Sequence, residues 1–220
     1  MRQRNVKNQD EILSSFDRYV QNPESLKGKW HGGFKEVHLE IGIGKGQFIY
    51  ELAKKNPDIL YVGIELNKGV ISLASKKILR KEQEEAIHVA NLKLFSFDAA
   101  DLDKVFTEGE VDKIYLNFSD PWPKKKHAKR RLTSKTFLDK YRLILKKDGI
   151  IEQKTDNMGL FEFSILSFNE NNLLMEDISL NVYADIANGK ILDNIPTEYE
   201  EKFRDKGPIY KMIAKFRSDV

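Results

Sequence analysis

Glu40-Ile41-Gly42-Ile43-Gly44-Lys45-Gly46 is the stretch on which the fold turns. It ends an apolar run that begins at Phe34 and reads as a strand, and it opens a helical stretch from about Lys45 to Asn56, closed by Pro57. A strand, a glycine-rich turn and a helix in that order place a ligand at the carboxyl end of a parallel strand. The pattern then repeats. Ile59 to Leu66 is a second strand, ending at Glu65, and Lys68 to about Glu85 is a helix that turns Val70, Leu73, Ala74 and Ile78 inward. Leu92 to Phe97 is a third strand, with Asp98 at its end, and Val111 to Phe118 is a fourth. A helix capped by Thr133 carries Phe137, Leu138, Tyr141 and Leu145 and stops at Asp148-Gly149, after which Gly149 to Thr155 is a fifth strand ending at Asp156. Strands alternating with helices predict an α/β, Rossmann-like, doubly wound sheet covered on both faces.

Outward from this core the pattern changes. Residues 158–169 are helical by length, and Met175 to Tyr183 and Ile209 to Phe216 read as two late strands separated by a short helix from Thr197. Seven strands in all are expected, mostly parallel, with an antiparallel strand at one edge. Upstream, Ile12, Leu13, Phe16, Tyr19 and Val20 share a helical face from Asp10 until Pro23 stops it, behind a polar, basic tail over residues 1–9 that includes Arg2, Arg4 and Lys7. We expect one domain: a tail and helix over residues 1–30, a cofactor-binding core over 34–156 and a substrate-binding part over 157–220.

Composition narrows the chemistry. No cysteine is present, so disulfides, thiolate nucleophiles and Cys-ligated zinc are excluded. His31, His38, His88 and His127 are scattered, without metal-ligand spacing, and no metal is expected. No segment has the apolar length of a membrane span and the polar start lacks a signal peptide, so a cytoplasmic protein with no membrane partner is the expectation. The net charge of +3 is too small to name a partner by itself. Its distribution is more telling. Six of the eleven residues from Pro121 to Arg131 are Lys or Arg, with no acid among them.

Two ligand classes compete for the glycine turn. The dinucleotide pattern G-x-G-x-x-G fails at its last position, which is Gln47, and Glu40 just before the turn would repel a pyrophosphate. S-adenosylmethionine has no phosphate and carries an ammonium and a cationic sulfur, which a carboxylate favours. Gly42 and Gly44 would let the backbone approach it, Glu65 would accept the ribose hydroxyls, and Asp98 would lie near the adenine amino group. Each acid alone could be a solvated strand end. Four strands ending in Glu40, Glu65, Asp98 and Asp120 make S-adenosylmethionine the expected cofactor.

Asn117-Phe118-Ser119-Asp120-Pro121-Trp122-Pro123 and its basic continuation Lys124, Lys125, Lys126, His127, Lys129, Arg130 and Arg131 suit an acidic polymer held beside a reactive centre. The prolines predict an extended, exposed Trp122, equally able to stack on a base or to anchor its loop; Arg130 or Arg131 could instead pair with a core acid. The D/N-P-P-aromatic signature of exocyclic-amine methyltransferases fits poorly, since the aromatic comes one place early. Nearly the whole chain, through the glycine turn, Gly63-Ile64-Glu65, Asn117 to Leu132, Lys154-Thr155-Asp156 and Thr197-Glu198-Tyr199-Glu200-Glu201-Lys202-Phe203, resembles the bacterial tRNA (guanine-N7-)-methyltransferases of the TrmB type. Lys126 stands where many relatives carry Arg.

The resemblance implies a class I methyltransferase acting on a guanine in the variable loop of tRNA. It implies Glu40, Glu65, Asp98 and Asp120 at the cofactor, Asp120 also as the catalytic residue, and Lys124, Asp156, Thr197, Glu198, Tyr199 and Glu200 at the substrate. Read without it, Thr197-x-x-Glu200 is a helix capping box and Asp156 a strand terminus. A non-catalytic RNA-binding protein and an exocyclic-amine methyltransferase are the alternatives, and monomer and homodimer are both open.

Overall fold

The computed structural model describes residues 8–217; the basic positions Arg2, Arg4 and Lys7 lie outside them. In chain order the elements are α1 (Gln9–Ser15), β1 (Glu36–Ile41), α2 (Gln47–Lys55), β2 (Ile59–Glu65), α3 (Lys68–Glu85), β3 (Leu92–Ser96), α4 (Leu102–Val105), β4 (Val111–Asn117), α5 (Lys135–Ile144), β5 (Leu145–Thr155), α6 (Met158–Glu170), β6 (Leu173–Ser179), α7 (Val182–Ala187), α8 (Glu198–Phe203) and β7 (Tyr210–Phe216). The sheet order is β3-β2-β1-β4-β5-β7-β6. The first five strands are parallel, and β7 runs antiparallel between β5 and β6. The antiparallel strand therefore lies one place in from the edge, which β6 forms.

Side-chain alternation along the strands feeds two cores. Val37, Leu39, Ile41, Leu60, Val62, Ile64, Ile114 and Leu116 face one side, where Leu138, Tyr141, Phe161 and Phe168 of α5 and α6 cover them. Tyr61, Leu92, Leu94 and Tyr115 face the other, against Phe48, Ile49, Ile71, Ala74 and Ile78 of α2 and α3. Gly63 is demanded by this packing, because a Cβ there would lie 2.6 Å from Leu94 and 2.9 Å from Ile43. Strand order reverses between β1 and β4, and that switch point opens the cleft described below.

Several sequence expectations are corrected. The first helix stops at Ser15 instead of running on to Val20. Arg18 and Val20 exchange backbone bonds with Leu94, so this segment covers the outer edge of β3. Buried Arg18 locks it there through two 2.6 Å bonds to Glu82. Edge pairing, invisible to a helical period, wins over that period. Leu145 belongs to β5, not to the preceding helix, and Asp148-Gly149 lies within the long strand. Thr133 is buried and bonded to Ser164, so Ser134 takes the N-cap position of α5. The late strand expected to reach Tyr183 ends at Ser179, and Tyr183 sits in α7, capped by Asn181.

Candidate active site

A cleft of about 430 Å³ lies at the carboxyl ends of β1 and β4. The glycine turn, the start of α2, Asn117, Phe118 and α8 with Thr197 line it. Gly42, Gly44 and Gly46 have φ of 80°, 53° and 75°, a left-handed path that only glycine follows without strain. A Cβ on Gly42 or Gly44 would meet nothing within 4 Å, so the bare backbone faces open space.

Glu40 forms the floor. It is 2% exposed, and one carboxylate oxygen accepts a 2.9 Å bond from Asn117 Nδ2. Its other oxygen, Oε2, and Asn117 Oδ1 are buried without partners among the described residues. Burial pushes the Glu40 carboxyl up to about 7, against the opposing pull of the Asn117 hydrogen bond and the Lys154 charge. Two unpaired buried acceptors beside a bare glycine backbone suit a ligand with positive charge and N–H donors. That is the donor chemistry of S-adenosylmethionine, and a pyrophosphate would add repulsion. The residues fit the cofactor expected from the sequence.

Of the other residues expected at the cofactor, Glu65 is near enough for its charge to act on Glu40, while Glu65, Asp98 and Asp120 all lie outside the lining of this cleft. Glu65 is half-buried at the end of β2, where Oε1 accepts from Asn67 N at 3.3 Å. Asp98 is exposed, and its Oδ1 accepts from Ala100 N. Asp120 is exposed in the loop after β4, bracketed by Phe118 and Trp122, which have φ of 50° and 41°. Left-handed backbone at two aromatic residues costs ~1–3 kcal/mol each and persists where surrounding bonds fix it. The fixing group for Trp122 is Arg131, which donates to Pro121 O and Trp122 O at 3.0 Å each. Trp122 is thus half-buried and left-handed, not exposed and extended. Arg130 lies over its ring at 4.9 Å, and His127 meets it edge-on. Arg131 buttresses the loop through carbonyls and not through an acid.

Lys124 leads a short 3₁₀ turn, Lys125–Arg130, on which Lys125, Lys126, Lys129 and Arg130 are exposed and His127 is half-buried. On the far wall the substrate residues expected from two distant segments meet, for Tyr199 Oη donates to Asp156 Oδ2 at 2.9 Å. Tyr199 also packs between Phe118 and Phe203, with ring centroids 5.0 and 4.4 Å away. Glu198 pairs with Lys77 and with Lys45 of the glycine turn, which draws its carboxyl below the usual range despite partial burial. The capping box forms: Thr197 Oγ1 accepts from Glu200 N, and Glu200 returns a contact to Thr197 N. Glu200 itself is fully buried, so its carboxylate faces the interior while its neighbours face the cleft.

Asn117, Phe118, Phe203 and Lys154 lie within the motif segments, yet sequence alone gives none of them an individual role. Lys154 follows Glu152 and Gln153 in a mixed strand, so no local pattern announces its burial. Among the described residues no helix is long and apolar enough to cross a membrane, and no His, Cys, Asp and Glu cluster could hold a metal.

Residues 35–212 match a family described as putative methyltransferase. The tRNA (guanine-N(7)-)-methyltransferase of Bacillus cytotoxicus is 48% identical over 214 residues, covering 96% of this chain and 94% of that protein. The enzyme of the same name from Streptococcus pneumoniae is 46% identical over 221 residues, covering 98% and 100%. Among solved structures, an antibiotic-related methyltransferase superposes with a TM-score of 0.66 at 18% identity, covering 89% of this chain and 94% of its own. A 16S rRNA adenine-N1 methyltransferase from Catenulisporales acidiphilia gives 0.62 at 14%, covering 91% and 96%. The two structural likenesses speak for the class I methyltransferase fold alone.

Proposed function

The chain belongs to the tRNA (guanine-N7-)-methyltransferase family, and from that premise we propose how its cleft works. The protein transfers a methyl group from S-adenosylmethionine to N7 of a guanine, which we place in the variable loop of tRNA. The observation that carries the reading is the buried Glu40–Asn117 pair with an open acceptor on each side chain. When bound, S-adenosylmethionine supplies a methyl carbon made electrophilic by its positive sulfur. Glu40, Glu65, Asp98 and Asp120 would hold it, with Gly42 and Gly44 allowing close backbone approach.

Guanine N7 carries an in-plane lone pair and no hydrogen, so no residue need remove a proton before attack. The protein's work is orientation and charge. The aromatic cluster of Phe118, Tyr199 and Phe203, in which Tyr199 stacks on Phe203 and Phe118 is tilted against it, gives an apolar wall for a purine extruded from its stack, worth ~1–3 kcal/mol per stacked base. Asp156 fixes the Tyr199 ring from behind through the hydroxyl. The ring becomes cationic as the methyl arrives, and Asp120 supplies a negative charge for that positive charge and an acceptor for the base's N–H edge. Lys124 and the basic 3₁₀ turn meet phosphates, with Trp122 as the loop's anchor.

Labelled S-adenosylmethionine with unmodified tRNA should yield 7-methylguanosine as the labelled nucleoside after digestion. Label in N6-methyladenosine, or RNA binding without transfer, would overturn the assignment. The basic turn makes a separate prediction. If Lys124, Lys125, Lys126, Lys129 and Arg130 each meet a phosphate, log Kd for tRNA against log salt has a slope of about 3.5 to 4.5. Changing Lys125, Lys126 and Lys129 together to Gln should lower that slope by about 2 to 3, and an unchanged slope in filter binding would remove the turn from the interface.

A further inference from the structure

Lys154 is 1% exposed and lies on β5 opposite Asn117 of the cleft floor. Its ammonium donates to Glu200 Oε2 at 2.7 Å, Ile195 O at 2.9 Å and Asn194 Oδ1 at 3.3 Å, and it lies 4.9 Å above the ring of Phe48, a cleft residue. Glu200, at 0% exposure, gathers the other side through Tyr183 Oη at 3.1 Å and Asn194 Nδ2 at 2.8 Å. One buried cation thus ties the sheet beneath the donor cleft to the segment that carries Thr197, Glu198 and Tyr199.

Stability is a poor reason for such a pair. Burying two charges costs several kcal/mol per ion, and apolar residues of similar volume are often as stable or more so. We propose that Lys154 is a positioning residue, which acts through Glu200 to hold the Thr197–Tyr199 wall in register with the Glu40 floor. The proposal rests on the reading of this cleft as the donor and purine site. It also links the two halves electrostatically. The charges that act on Glu40 are Lys154 from β5, which favours its ionised form, and Glu65 from β2, which opposes it, while Asn117 from β4 contributes a neutral hydrogen bond.

The test compares wild type with the double variant K154M/E200Q, which leaves no unpaired buried charge; K154M alone would strand the Glu200 carboxylate and risk the fold. Urea unfolding verifies that the double variant folds. The expected result is a KM for tRNA raised about tenfold, the scale of a wall displaced by less than 1 Å, with a smaller change in kcat. In calorimetry with S-adenosylmethionine, the pH at which donor affinity reaches half its maximum should move to higher pH. A merely structural pair would leave that midpoint in place. A KM equal to wild type, or a raised KM with an unmoved midpoint, overturns the role of Lys154. Absence of transfer by wild type would strike the functional reading instead, so the two failures are distinguishable.

Discussion

Asp120→Asn is expected to lower the single-turnover rate of tRNA methylation by ~10²- to 10³-fold, the range for loss of one preorganised electrostatic contact. The reasoning begins with the nucleophile. Guanine N7 needs no base, so Asp120 can contribute only charge and alignment, and Asn keeps the shape while removing the charge. The loop is built to present that side chain. Left-handed Phe118 and Trp122 bracket it, and Arg131 holds Pro121 and Trp122 by their carbonyls. Asp120 is exposed, and substitution at such a position changes stability by about 0.5 kcal/mol or less. Thermal unfolding should therefore match wild type. A variant that melts normally and transfers methyl at the wild-type rate would remove Asp120 from the chemistry, leaving the loop only a docking role.

Local signals made the alternating core legible. Apolar runs mark the parallel strands; Glu40 and Glu65 lie at the ends of β1 and β2, whereas Asp98 and Asp120 lie in the loops that follow β3 and β4. The glycine turn could be read because φ and close approach impose a residue type at each position. Long-range pairing was not legible. The helical period over Ile12 to Val20 is real, yet the open edge of β3 draws Arg18 to Val20 into pairing with Leu94. Trp30, which stacks on Phe95 and packs at a tilt against Phe106 in the core, has no local pattern to announce it. Trp122 departs from the extended form that flanking prolines favour because Arg131, nine residues on, holds its carbonyl. Glu200 shows the limit most clearly. Its capping role follows from a three-residue spacing, whereas its pairing with Lys154 spans 46 residues and has no local spacing to announce it.

Glu40→Gln is expected to weaken S-adenosylmethionine binding by ~10²-fold or more, the cost of removing one partner of a buried, hydrogen-bonded charge pair. The same change should stabilise the donor-free protein at alkaline pH. The folded Glu40 carboxyl lies at about 7 against its ordinary 4.5, chiefly because burial penalises the charge. The folded state therefore binds more protons than the unfolded state across that window, and wild-type stability falls as pH rises through it. Above about 7 the penalty is complete and the curve levels; its size is on the order of 3 kcal/mol by linkage, an upper bound. Gln retains an acceptor for Asn117 Nδ2, adds a donor for the open Asn117 Oδ1, and has no charge to bury. Its stability should show no such slope. Donor affinity runs the other way in wild type, rising toward about pH 7 as Glu40 ionises, with a proton released on binding below that pH. Urea unfolding between pH 5 and 8, with calorimetry in two buffers of different ionisation enthalpy, measures both quantities. Parallel stability curves for wild type and variant, or undiminished donor affinity in the variant, would refute the role given to Glu40. A cleft that keeps a destabilising carboxylate on its floor is explained by the positively charged ligand that neutralises it, a stability cost retained for binding.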